Sequence, residues 1–332
     1  MKPKAFVSGV TGQDGSYLAE FLLEKGYQVY GLMRRNSDNS MRRIVHLINR
    51  IELVSGDLTD QGSLERLLMA IQPDEIYNLG AQSFVKLSFD APDHTDDVTG
   101  DGAARLIDSA RNVCRTAKIY QASSSEQFGN STQSPQNEQT PFRPASPYGC
   151  SKVYAHLFAE MYRQTYGMFI VCGIWFNHES PRRGEEFVTR KITRAVARIK
   201  CGLQDSLVLG NLDSARDWSH AKDAVRSMWM SLQYASPETY VFGSGKAYSI
   251  REFLDRAFGC VGISAWQPYV STDPRFVRPQ DVKHLVANRS KATQILGWKP
   301  EISFQELVEE MVEHDLKETA RTLDRDPKPH EG

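Results

Sequence analysis

Three glycines separate the first apolar run of the chain from its first helix-like segment. In VSGVTGQDGSYLAEFLL they are Gly9, Gly12 and Gly15, with an apolar run before them and an amphipathic pattern after them. Glycine lets a turn adopt positive φ and lets its backbone approach a pyrophosphate, and the N-terminus of the following helix offers N–H groups to the same ligand. A tight turn without a ligand is the alternative, but the order of strand, turn and helix favours a dinucleotide-binding α/β fold.

Short apolar runs and helix-like segments alternate after this turn. The predicted buried strands cover residues 5–9, 28–33, 51–54, 75–79, 118–122 and 169–175. The predicted helices cover residues 16–25, 61–71, 99–112 and 147–166. Such alternation predicts a Rossmann-like, doubly wound parallel sheet with helices on both faces. Ligands of these sheets bind at the carboxyl ends of the strands, so the candidate site is expected there.

The pattern loosens beyond Asn177, where glycine, proline and asparagine punctuate shorter segments. We predict a nucleotide-binding Rossmann domain over residues 1–176, which carries the catalytic helix. Residues 177–323 are expected to form mostly a smaller, mixed α/β substrate lobe that interleaves with the first domain. Its last helix is expected at about residues 303–323, and residues 324–332 are expected to form a polar tail.

The composition argues against several classes of protein. A formal charge of −1 on 332 residues gives no electrostatic reason for nucleic acid or an anionic membrane to be the main partner. No run approaches the roughly 18 apolar residues of a membrane helix, and the apolar stretch at the start is too short for a signal sequence. The five cysteines are widely spaced and form no CxxC pair, which argues against a zinc site or a disulfide framework. We therefore expect a soluble, cytoplasmic protein without a metal site.

The residues after the second predicted strand indicate which dinucleotide binds. Sites that prefer NAD place Asp or Glu about 20 residues beyond the glycines, where it binds the ribose 2′-hydroxyl. GLMRRN instead has Arg34 and Arg35, whose guanidinium groups can pair with a 2′-phosphate, and this predicts NADP. The alternative is a solvated basic pair at the start of a surface helix, because Arg42 and Arg43 follow. Asp57, in SGDLTD, suits an adenine contact or a helix cap equally.

A tyrosine and a lysine in PYGCSK share one face of the predicted helix over residues 147–166. Tyr148 and Lys152 are four residues apart, so both side chains project in the same direction. A lysine ammonium beside a phenol, near a positively charged nicotinamide, is expected to lower the pKa of the phenol. The tyrosinate would then take a hydroxyl proton as hydride leaves for the cofactor. The pattern YxxxK alone is more often structural than catalytic, and the glycine turn upstream changes that balance.

The segment QASSSEQFG follows the fifth predicted strand. Together with the glycine turn and the YxxxK pair, it resembles the extended short-chain dehydrogenase/reductase superfamily. There, a Ser or Thr at this place hydrogen-bonds the substrate hydroxyl beside the tyrosine, which implies that role for Ser124. Glu126 matches an acid that sugar-nucleotide 4,6-dehydratases carry and epimerases lack. The local alternative is a helix cap, because Ser123 and Glu126 fit the pattern S-x-x-E, with Ser125 as a secondary polar partner.

A carboxylate at position 126 has a physical use in a dehydratase. Oxidation of C4 of a hexose to a ketone acidifies the hydrogen on C5. A carboxylate within reach can remove that proton and then, as an acid, help the C6 hydroxyl to leave as water. Hydride returned to C6 completes the reaction with no net redox change. An epimerase needs no such group, so Glu126 separates the two chemistries.

Longer motifs narrow the resemblance to the family of GDP-mannose 4,6-dehydratases over nearly the whole chain. They include PFRPASPYGCSK, NHESPRRGEEFVTRKI, LGNLDSARDW and FVRPQDV. The resemblance implies an NADP-dependent hydro-lyase that converts GDP-D-mannose to GDP-4-keto-6-deoxy-D-mannose. It implies catalytic roles for Ser124, Glu126, Tyr148 and Lys152. It also implies a homo-oligomer, either a dimer or a tetramer.

The resemblance assigns binding residues as well. Those implied for the cofactor are Gly9, Thr11, Gly12, Gln13, Asp14, Gly15, Arg34, Arg35, Asp57, Leu58, Leu79, Ala81, Ser83, Tyr148, Lys152, His178 and Arg183. Those implied for the GDP-sugar are Ser83, Phe84, Ser125, Asn177, Val188, Lys191, Arg216, Arg278 and Asp281. The basic members of the second set make independent sense, because charge-assisted hydrogen bonds to phosphate are strong. The local alternatives are a pair of Arg216 with Asp217 and a solvated helix face for Lys191.

Three positions depart from the family pattern close to the predicted site. Ser124 replaces the usual threonine, Ala145 replaces the arginine of PRSPYG, and Ser219 replaces the glycine of RDWG. A 4,6-dehydratase of another GDP-sugar, such as GDP-manno-heptose, is therefore the second hypothesis. A nucleotide-sugar epimerase or reductase is the third. A non-catalytic nucleotide-sugar-binding module is the fourth, and the presence of all four candidate catalytic groups argues against it.

Overall fold

The computed structural model describes residues 1–34, 38–276 and 285–325. The strands are β1 (Lys4–Ser8), β2 (Gln28–Met33), β3 (Glu52–Ser55), β4 (Glu75–Asn78), β5 (Lys118–Ser124), β6 (Ile170–Trp175), β7 (Asn177–Glu179), β8 (Leu207–Leu209), β9 (Ala215–His220), β10 (Thr239–Phe242), β11 (Ala247–Ser249) and β12 (Val270–Thr272). The α-helices are α1 (Gln13–Glu24), α2 (Gln61–Ile71), α3 (Val85–Asp90), α4 (Pro92–Asp96), α5 (Gly102–Val113), α6 (Pro147–Tyr166), α7 (Val188–Lys200), α8 (Ala221–Gln233), α9 (Ile250–Gly259), α10 (Ser290–Leu296) and α11 (Phe304–Arg325).

Seven strands form one sheet in the order β10-β6-β5-β4-β1-β2-β3. Each pair of neighbours is parallel, and Ala5 on the central strand β1 lies opposite Val29 on one side and Glu75 on the other. The predicted Rossmann-like α/β fold is therefore confirmed. The strand order reverses between β1 and β4, and the crevice at the carboxyl ends of those two strands is where such sheets bind ligands.

Apolar side chains cover both faces of this sheet. One face is packed by α1 and α8, with Leu22 and Val225 almost fully buried, and by Trp298 near the C-terminal end. The other face is packed by α2, α5 and α6 and includes Leu68 and Leu106. Complete burial of each such side chain contributes roughly 1.5–3 kcal/mol. Two covered faces explain why the strands read as continuous apolar runs and not as alternating ones.

A second hydrophobic core lies in the C-terminal half of the chain. It joins α7, α9 and α11 with β8 and β9, and its central side chains include Trp218 and Phe253. A buried ion pair between Arg190 of α7 and Asp315 of α11 ties two of these helices together, and Thr193 donates to the same carboxylate at 2.7 Å. By contrast, α8 and β10 come after residue 176 in the sequence but pack on the large sheet.

Among the element boundaries that differ from the prediction, two lie close to the expected ligand-binding edge. Strand β5 continues beyond residue 122 to Ser124, because Ser124 still pairs with Trp175 of β6. The helix expected from residue 99 begins as a π-helical turn over Asp97–Asp101, and regular α-helix starts only at Gly102. A Cβ on Gly102 would lie 2.9 Å from the Cβ of Leu58, so the close approach of this helix to the end of β3 requires glycine. Among the described helices, none is both long enough and apolar enough to cross a membrane.

Candidate active site

The three glycines form a tight turn, in which Gly9 and Gly15 occupy positions that only glycine can fill. Gly9 has a φ of +71°, and a Cβ there would lie 2.9 Å from the amide nitrogen of Gly80, at the end of the neighbouring strand β4. A Cβ on Gly15 would lie 2.2 Å from the carbonyl oxygen of Gly9. Gly12 is the N-cap of α1 and no side chain caps the first turn, so the N–H groups there face the crevice at the switch point. This cradle fits the pyrophosphate of a dinucleotide.

Neighbouring groups hold this cradle in place. The hydroxyl of Ser8, at the end of β1, accepts from the amides of Leu79 and Gly80 at 3.1 and 3.0 Å, which joins the two strands at the switch point. Arg43 donates to the carbonyl of Thr11 at 3.5 Å and to the carbonyl of Arg182 at 2.7 Å. Arg43 is therefore a bridge between the glycine turn and a loop of the C-terminal half, and not part of a solvated basic helix face.

The acidic and basic residues proposed for the adenosine end lie in different surroundings. Arg34 is exposed directly after β2, whereas Arg35 lies outside the described residues. The carboxylate of Asp57 accepts from the backbone N–H and the hydroxyl of Thr59, both at 3.0 Å. The helix cap suggested as one alternative for Asp57 is wrong, because Asp60 caps α2 by accepting from the amide of Ser63. The carboxylate of Asp57 is partly exposed at the carboxyl end of β3.

A partly buried ion pair connects α1 to the short strand β7. Nε2 of His178 lies 2.6 Å from Oδ2 of Asp14, and Nδ1 of the same ring lies 2.9 Å from the carbonyl of Phe176. Gln13 bridges the two elements, since its amide donates to Asp14 and to the carbonyl of His178. Burial opposes the charge of His178, but the contact with Asp14 outweighs it and raises the pKa of His178. Burial likewise opposes the charge of Asp14, and the contact with His178 lowers the pKa of Asp14.

The predicted catalytic groups converge where β5 ends and α6 begins. Ser146 caps α6 by accepting from the amide of Gly149 at 3.1 Å, and Pro147 follows at the first helical position. Tyr148 and Lys152 then lie on the inner face of the helix and are 8% and 4% exposed. The hydroxyl of Tyr148 hydrogen-bonds that of Ser124, and the carboxylate of Glu126 lies close enough to raise the pKa of Tyr148.

The protonation of this pair differs from the sequence-based expectation. Burial raises the pKa of Tyr148 to about 12 and outweighs the hydrogen bond from Ser124, which acts in the opposite direction. Burial also lowers the pKa of Lys152 to about 8. The ammonium of Lys152 donates to the carbonyl of Ala122 at 2.7 Å and lies 5.8 Å from the centroid of the Tyr148 ring. The groups of the protein itself therefore raise the pKa of the phenol, whereas the expected lowering also includes the charge of a bound nicotinamide.

The local alternative for the serine cluster is also wrong. Ser124, and not Ser123, caps the 3₁₀ turn over Ser125–Gln127. The amide of Glu126 donates to the hydroxyl of Ser124 at 3.3 Å, and Oε1 of Gln127 accepts from the amide of Ser124 at 3.2 Å. The side chain of Gln127 also donates to the carbonyl of Lys152 at 2.6 Å, which fixes the turn against α6. Ser125 is buried within this turn.

Ser123 has a different partner, which the sequence analysis missed. Its hydroxyl lies 2.8 Å from Nδ1 of His156, and Nε2 of His156 lies 3.4 Å from the carboxylate of Glu160. The same carboxylate accepts from the hydroxyl of Thr239 at 2.7 Å. The contact with His156 is the leading cause that lowers the pKa of Glu160 to about 2. A signal was available, because His156 follows Lys152 by four residues and so shares the catalytic face of α6.

The residues predicted for the GDP-sugar lie along the edge that faces the C-terminal half. Ser83 is exposed just before α3, and the ring of Phe84 packs against that of Phe187 with centroids 5.7 Å apart. The guanidinium of Arg183 lies 3.6 Å above the same Phe187 ring and forms an ion pair of 3.0 Å with Glu179. Asn177, Val188 and Ala81 are partly exposed. Arg278 and Asp281 lie outside the described residues.

Two basic residues of this set have defined neighbours. The ammonium of Lys191 donates to the carbonyl of Val208 at 2.7 Å, so Lys191 is not on a solvated helix face. Arg216 is buried in β9. Asp217 follows it in the strand and therefore points to the opposite face, where the amides of Ser244, Gly245 and Ala287 donate to its carboxylate. The suggested local pair of Arg216 with Asp217 is not what this strand forms.

Comparison with known proteins decides the family. The sequence model described as GDP-mannose 4,6 dehydratase matches residues 6–311. The chain belongs to the GDP-mannose 4,6-dehydratase family. GDP-mannose 4,6 dehydratase 2 of Arabidopsis thaliana is 51% identical over 325 residues, which cover 94% of this chain and 87% of the plant protein. GDP-mannose 4,6 dehydratase of Homo sapiens is 46% identical over 344 residues, which cover 95% of this chain and 92% of the human protein. The resemblance read from the motifs is therefore confirmed.

Solved structures of more distant relatives share the fold. A UDP-glucose 4-epimerase from Thermotoga maritima aligns with a TM-score of 0.84 at 22% identity and covers 95% of this chain and 99% of that one. A dTDP-glucose 4,6-dehydratase from Bacillus anthracis, solved in complex with NAD, aligns with a TM-score of 0.83 at 20% identity and covers 96% of this chain and 98% of that one. Epimerases and dehydratases thus have the same architecture, and only the site can distinguish their chemistry.

Two departures from the family pattern can now be located. Ser219 lies on β9 opposite His178 of β7, so this residue lies beside the ion pair of Asp14 with His178. Ser219 is 2% exposed, and within the described residues its hydroxyl has no hydrogen-bond partner. Ala145 packs at the edge of a small apolar cluster around Phe128, just before α6. No three metal-ligating side chains converge within the described part of the chain.

Proposed function

We propose that this protein is a GDP-mannose 4,6-dehydratase that converts GDP-D-mannose to GDP-4-keto-6-deoxy-D-mannose. The observation that carries the proposal is the convergence at the ends of β5 and α6: a hydroxyl pair from Ser124 and Tyr148, the ammonium of Lys152, and the carboxylate of Glu126. The carboxylate favours dehydration over epimerisation, because only dehydration needs a group that moves a proton at C5. The names of the relatives at 46–51% identity support the same substrate.

The first chemical step requires a proton acceptor for the C4 hydroxyl. The chemistry that a bound nicotinamide supplies is acceptance of hydride from C4 of the hexose and its return at C6. Tyr148 takes the C4 hydroxyl proton, and Ser124 hydrogen-bonds the same hydroxyl and orients it. Because the pKa of Tyr148 is raised to about 12, the phenol needs a nearby cation to act as a base. Lys152, on the same face of α6, supplies that cation.

The second step is the loss of water, for which Glu126 is responsible. After oxidation of C4, the carboxylate removes the proton from C5 and passes it to the C6 hydroxyl, which leaves as water. The C5–H and C6–O bonds break and a C5–C6 double bond forms. Hydride return at C6 and proton return at C5 then complete the product. The proton added at C5 balances the one that Tyr148 took from the C4 hydroxyl, and no external oxidant or reductant is consumed. The part exposure of Glu126 leaves it accessible to a sugar in the crevice.

The dinucleotide is proposed to be NADP. The glycine cradle would hold its pyrophosphate, with Gln13 and Asp14 beside it, and Leu58, Leu79 and Ala81 would line the crevice. Arg34, exposed at the end of β2, supports a 2′-phosphate over a free hydroxyl, because no acid stands in its place. The apo-protein should bind NADP more tightly than NAD, and equal affinities would argue against this assignment. The relative from Pseudomonas aeruginosa solved with NADPH shares only the fold, at 22% identity.

The remaining assignments concern the assembly and the compartment. Residues 177–323 are proposed to bind mostly the GDP-sugar, with Asn177, Lys191 and Arg216 among the contacts. A homo-oligomer is proposed from the family resemblance, and sedimentation of the purified protein tests it. A cytoplasmic location is proposed because the five cysteines of the chain are unpaired thiols in the structure.

One experiment tests the function directly. Purified holoenzyme is incubated with GDP-mannose without added reductant, and the product is identified by mass spectrometry and NMR. We expect GDP-4-keto-6-deoxymannose, lighter than the substrate by one water. Glu126→Gln should give none of it while it still binds GDP-mannose. Unchanged GDP-mannose with active, cofactor-loaded protein would overturn the assignment, and turnover of another GDP-hexose in a substrate panel would retain the reaction and change the sugar.

A further inference from the structure

Two lysines from different elements flank one exposed aromatic ring at the substrate edge. The ammonium of Lys191, on α7, lies 4.3 Å from the ring centroid of Phe276. The ammonium of Lys86, on α3, lies 5.8 Å from the same centroid. Phe276 is 49% exposed, so its ring is open to a ligand at this edge. Lys86 was not singled out by any sequence motif.

The fold brings these two lysines together by packing the start of α3 against the start of α7. Phe84, two residues before Lys86, packs against Phe187, four residues before Lys191. Lys191 is further fixed by its hydrogen bond to the carbonyl of Val208 on β8. The short helix α3 follows directly from the loop at the carboxyl end of β4, so the pair lies next to the ligand-binding edge of the sheet.

The electrostatics of the pair are unfavourable without an anion. Partial burial lowers the pKa of Lys191, and the positive charge of Lys86 lowers it further. Within the described residues, the influences on the pKa of Lys191 are burial and the charge of Lys86, so no carboxylate there offsets this repulsion. Two ammonium groups near one ring are stabilised in such a place when an anion completes the site. A diphosphate carries enough negative charge to contact both.

We infer that Lys86 is a further substrate-binding residue, which contacts the diphosphate of a nucleoside diphosphate together with Lys191. The inference rests on the proposed function, because it assigns Lys86 to the nucleotide of the same substrate. Phe276 holds both ammonium groups at the mouth of the site through cation–π contacts. Lys86 contributes affinity for the charged part of the ligand and takes no part in the chemistry.

The test compares two lysines that both lie over aromatic rings. The ammonium of Lys25, directly after α1, lies 4.6 Å from the ring centroid of Trp229 and 5.3 Å from that of Phe21. Neither ring belongs to the residues proposed to bind the substrate. Lys86→Gln and Lys25→Gln are made in the full-length, cofactor-loaded protein, and calorimetry measures the binding of GDP, GMP and guanosine. We expect Lys86→Gln to weaken GDP binding about fivefold at low ionic strength, GMP binding less, and guanosine binding not at all.

The further outcomes separate the inference from the proposed function. Lys25→Gln should bind all three ligands as the wild type does. The GDP affinity of the wild type should fall more steeply with salt than that of Lys86→Gln, because one charge contact is missing in the variant. If GDP binds the wild type tightly and Lys86→Gln equally well, only the inference about Lys86 is wrong. If the wild type does not bind GDP, the GDP-sugar assignment itself fails.

A second variant guards against a purely structural effect. Phe276→Leu keeps an apolar side chain and removes the ring that both ammonium groups contact. It should weaken GDP binding in the same direction as Lys86→Gln, and the double variant should be less than additive because the two residues act together. Strictly additive losses would overturn the joint role.

Discussion

The fold holds two regions in opposite ways: the proposed catalytic centre around Tyr148 and Lys152, and the basic pair of Lys86 and Lys191. Tyr148 and Lys152 are 8% and 4% exposed, and backbone elements fix them: a helix face, a strand end and a capped turn. Lys86 is exposed, and it meets Lys191 only because two helices pack at their starts. Proton transfer requires distances held within a fraction of an ångström, whereas long charged side chains can reach a diphosphate from an imprecise position.

Removal of the phenol hydroxyl should have the largest effect and should affect turnover alone. Tyr148→Phe keeps the ring and the packing of α6 but removes the group that takes the C4 hydroxyl proton. We expect kcat to fall about 10³-fold, within the range for loss of a general base. The affinity for GDP, measured by calorimetry, should stay that of the wild type. An equal loss of GDP affinity would show that the two regions are not separate.

The matching change in the other region should affect binding alone. Lys191→Gln removes a charge that a diphosphate would contact, so we expect KM for GDP-mannose to rise about tenfold. The kcat at saturating substrate should change less than twofold, because the ammonium lies outside the proton-transfer groups. A tenfold loss of kcat with an unchanged KM would reverse the comparison and place Lys191 in the chemistry.

The regular elements were predictable from the sequence, whereas side-chain partners were not. Apolar runs of strand length between helical periods specify the parallel sheet, and the spacing of Tyr148 and Lys152 specifies one helix face. The predicted cap at Ser123 was wrong because a local pattern does not say where a strand ends. Strand β5 pairs through Ser124, so Ser124 caps the following turn in its place. Lys86 and Lys191 are 105 positions apart, and only tertiary packing brings them together.

His156 offers a sharper test of how the buried centre is held. It shares a hydrogen bond with Ser123 on the strand that also bears Ser124, and it lies on the helix that bears Lys152. His156→Leu should lower kcat about five- to tenfold, because the strand end and the helix lose their common contact. His156→Asn, which keeps an acceptor near the position of Nδ1, should recover most of the activity. KM should be unaffected in both variants.

A control at the far end of the same network separates positioning from general destabilisation. Thr239 lies one step further along this network, because its hydroxyl donates to the carboxylate of Glu160 at 2.7 Å. Thr239→Val should lower the midpoint of thermal unfolding, as loss of a buried hydrogen bond does, and should leave kcat unchanged. If Thr239→Val lowers kcat as much as His156→Leu, the network acts through stability alone and His156 has no positioning role.

The smallest expected effect concerns the ion pair of Asp14 with His178, which connects α1 to β7. The pKa of His178 is raised above its usual 6.5, so the stability that it contributes is complete below pH 6.5 and is lost as the pH rises through the raised value. The pKa of Asp14 is lowered below 3.8, so its contribution is present above pH 3.8 and is lost as the pH falls through the lowered value. His178→Gln should therefore destabilise the protein most between about pH 4 and 6.5. There it should lower the free energy of unfolding by about 1 kcal/mol and the unfolding midpoint by roughly 2–4 °C. The difference in unfolding midpoint between the variant and the wild type should become smaller towards pH 9. A difference that stays constant from pH 4 to pH 9 would contradict a charged pair.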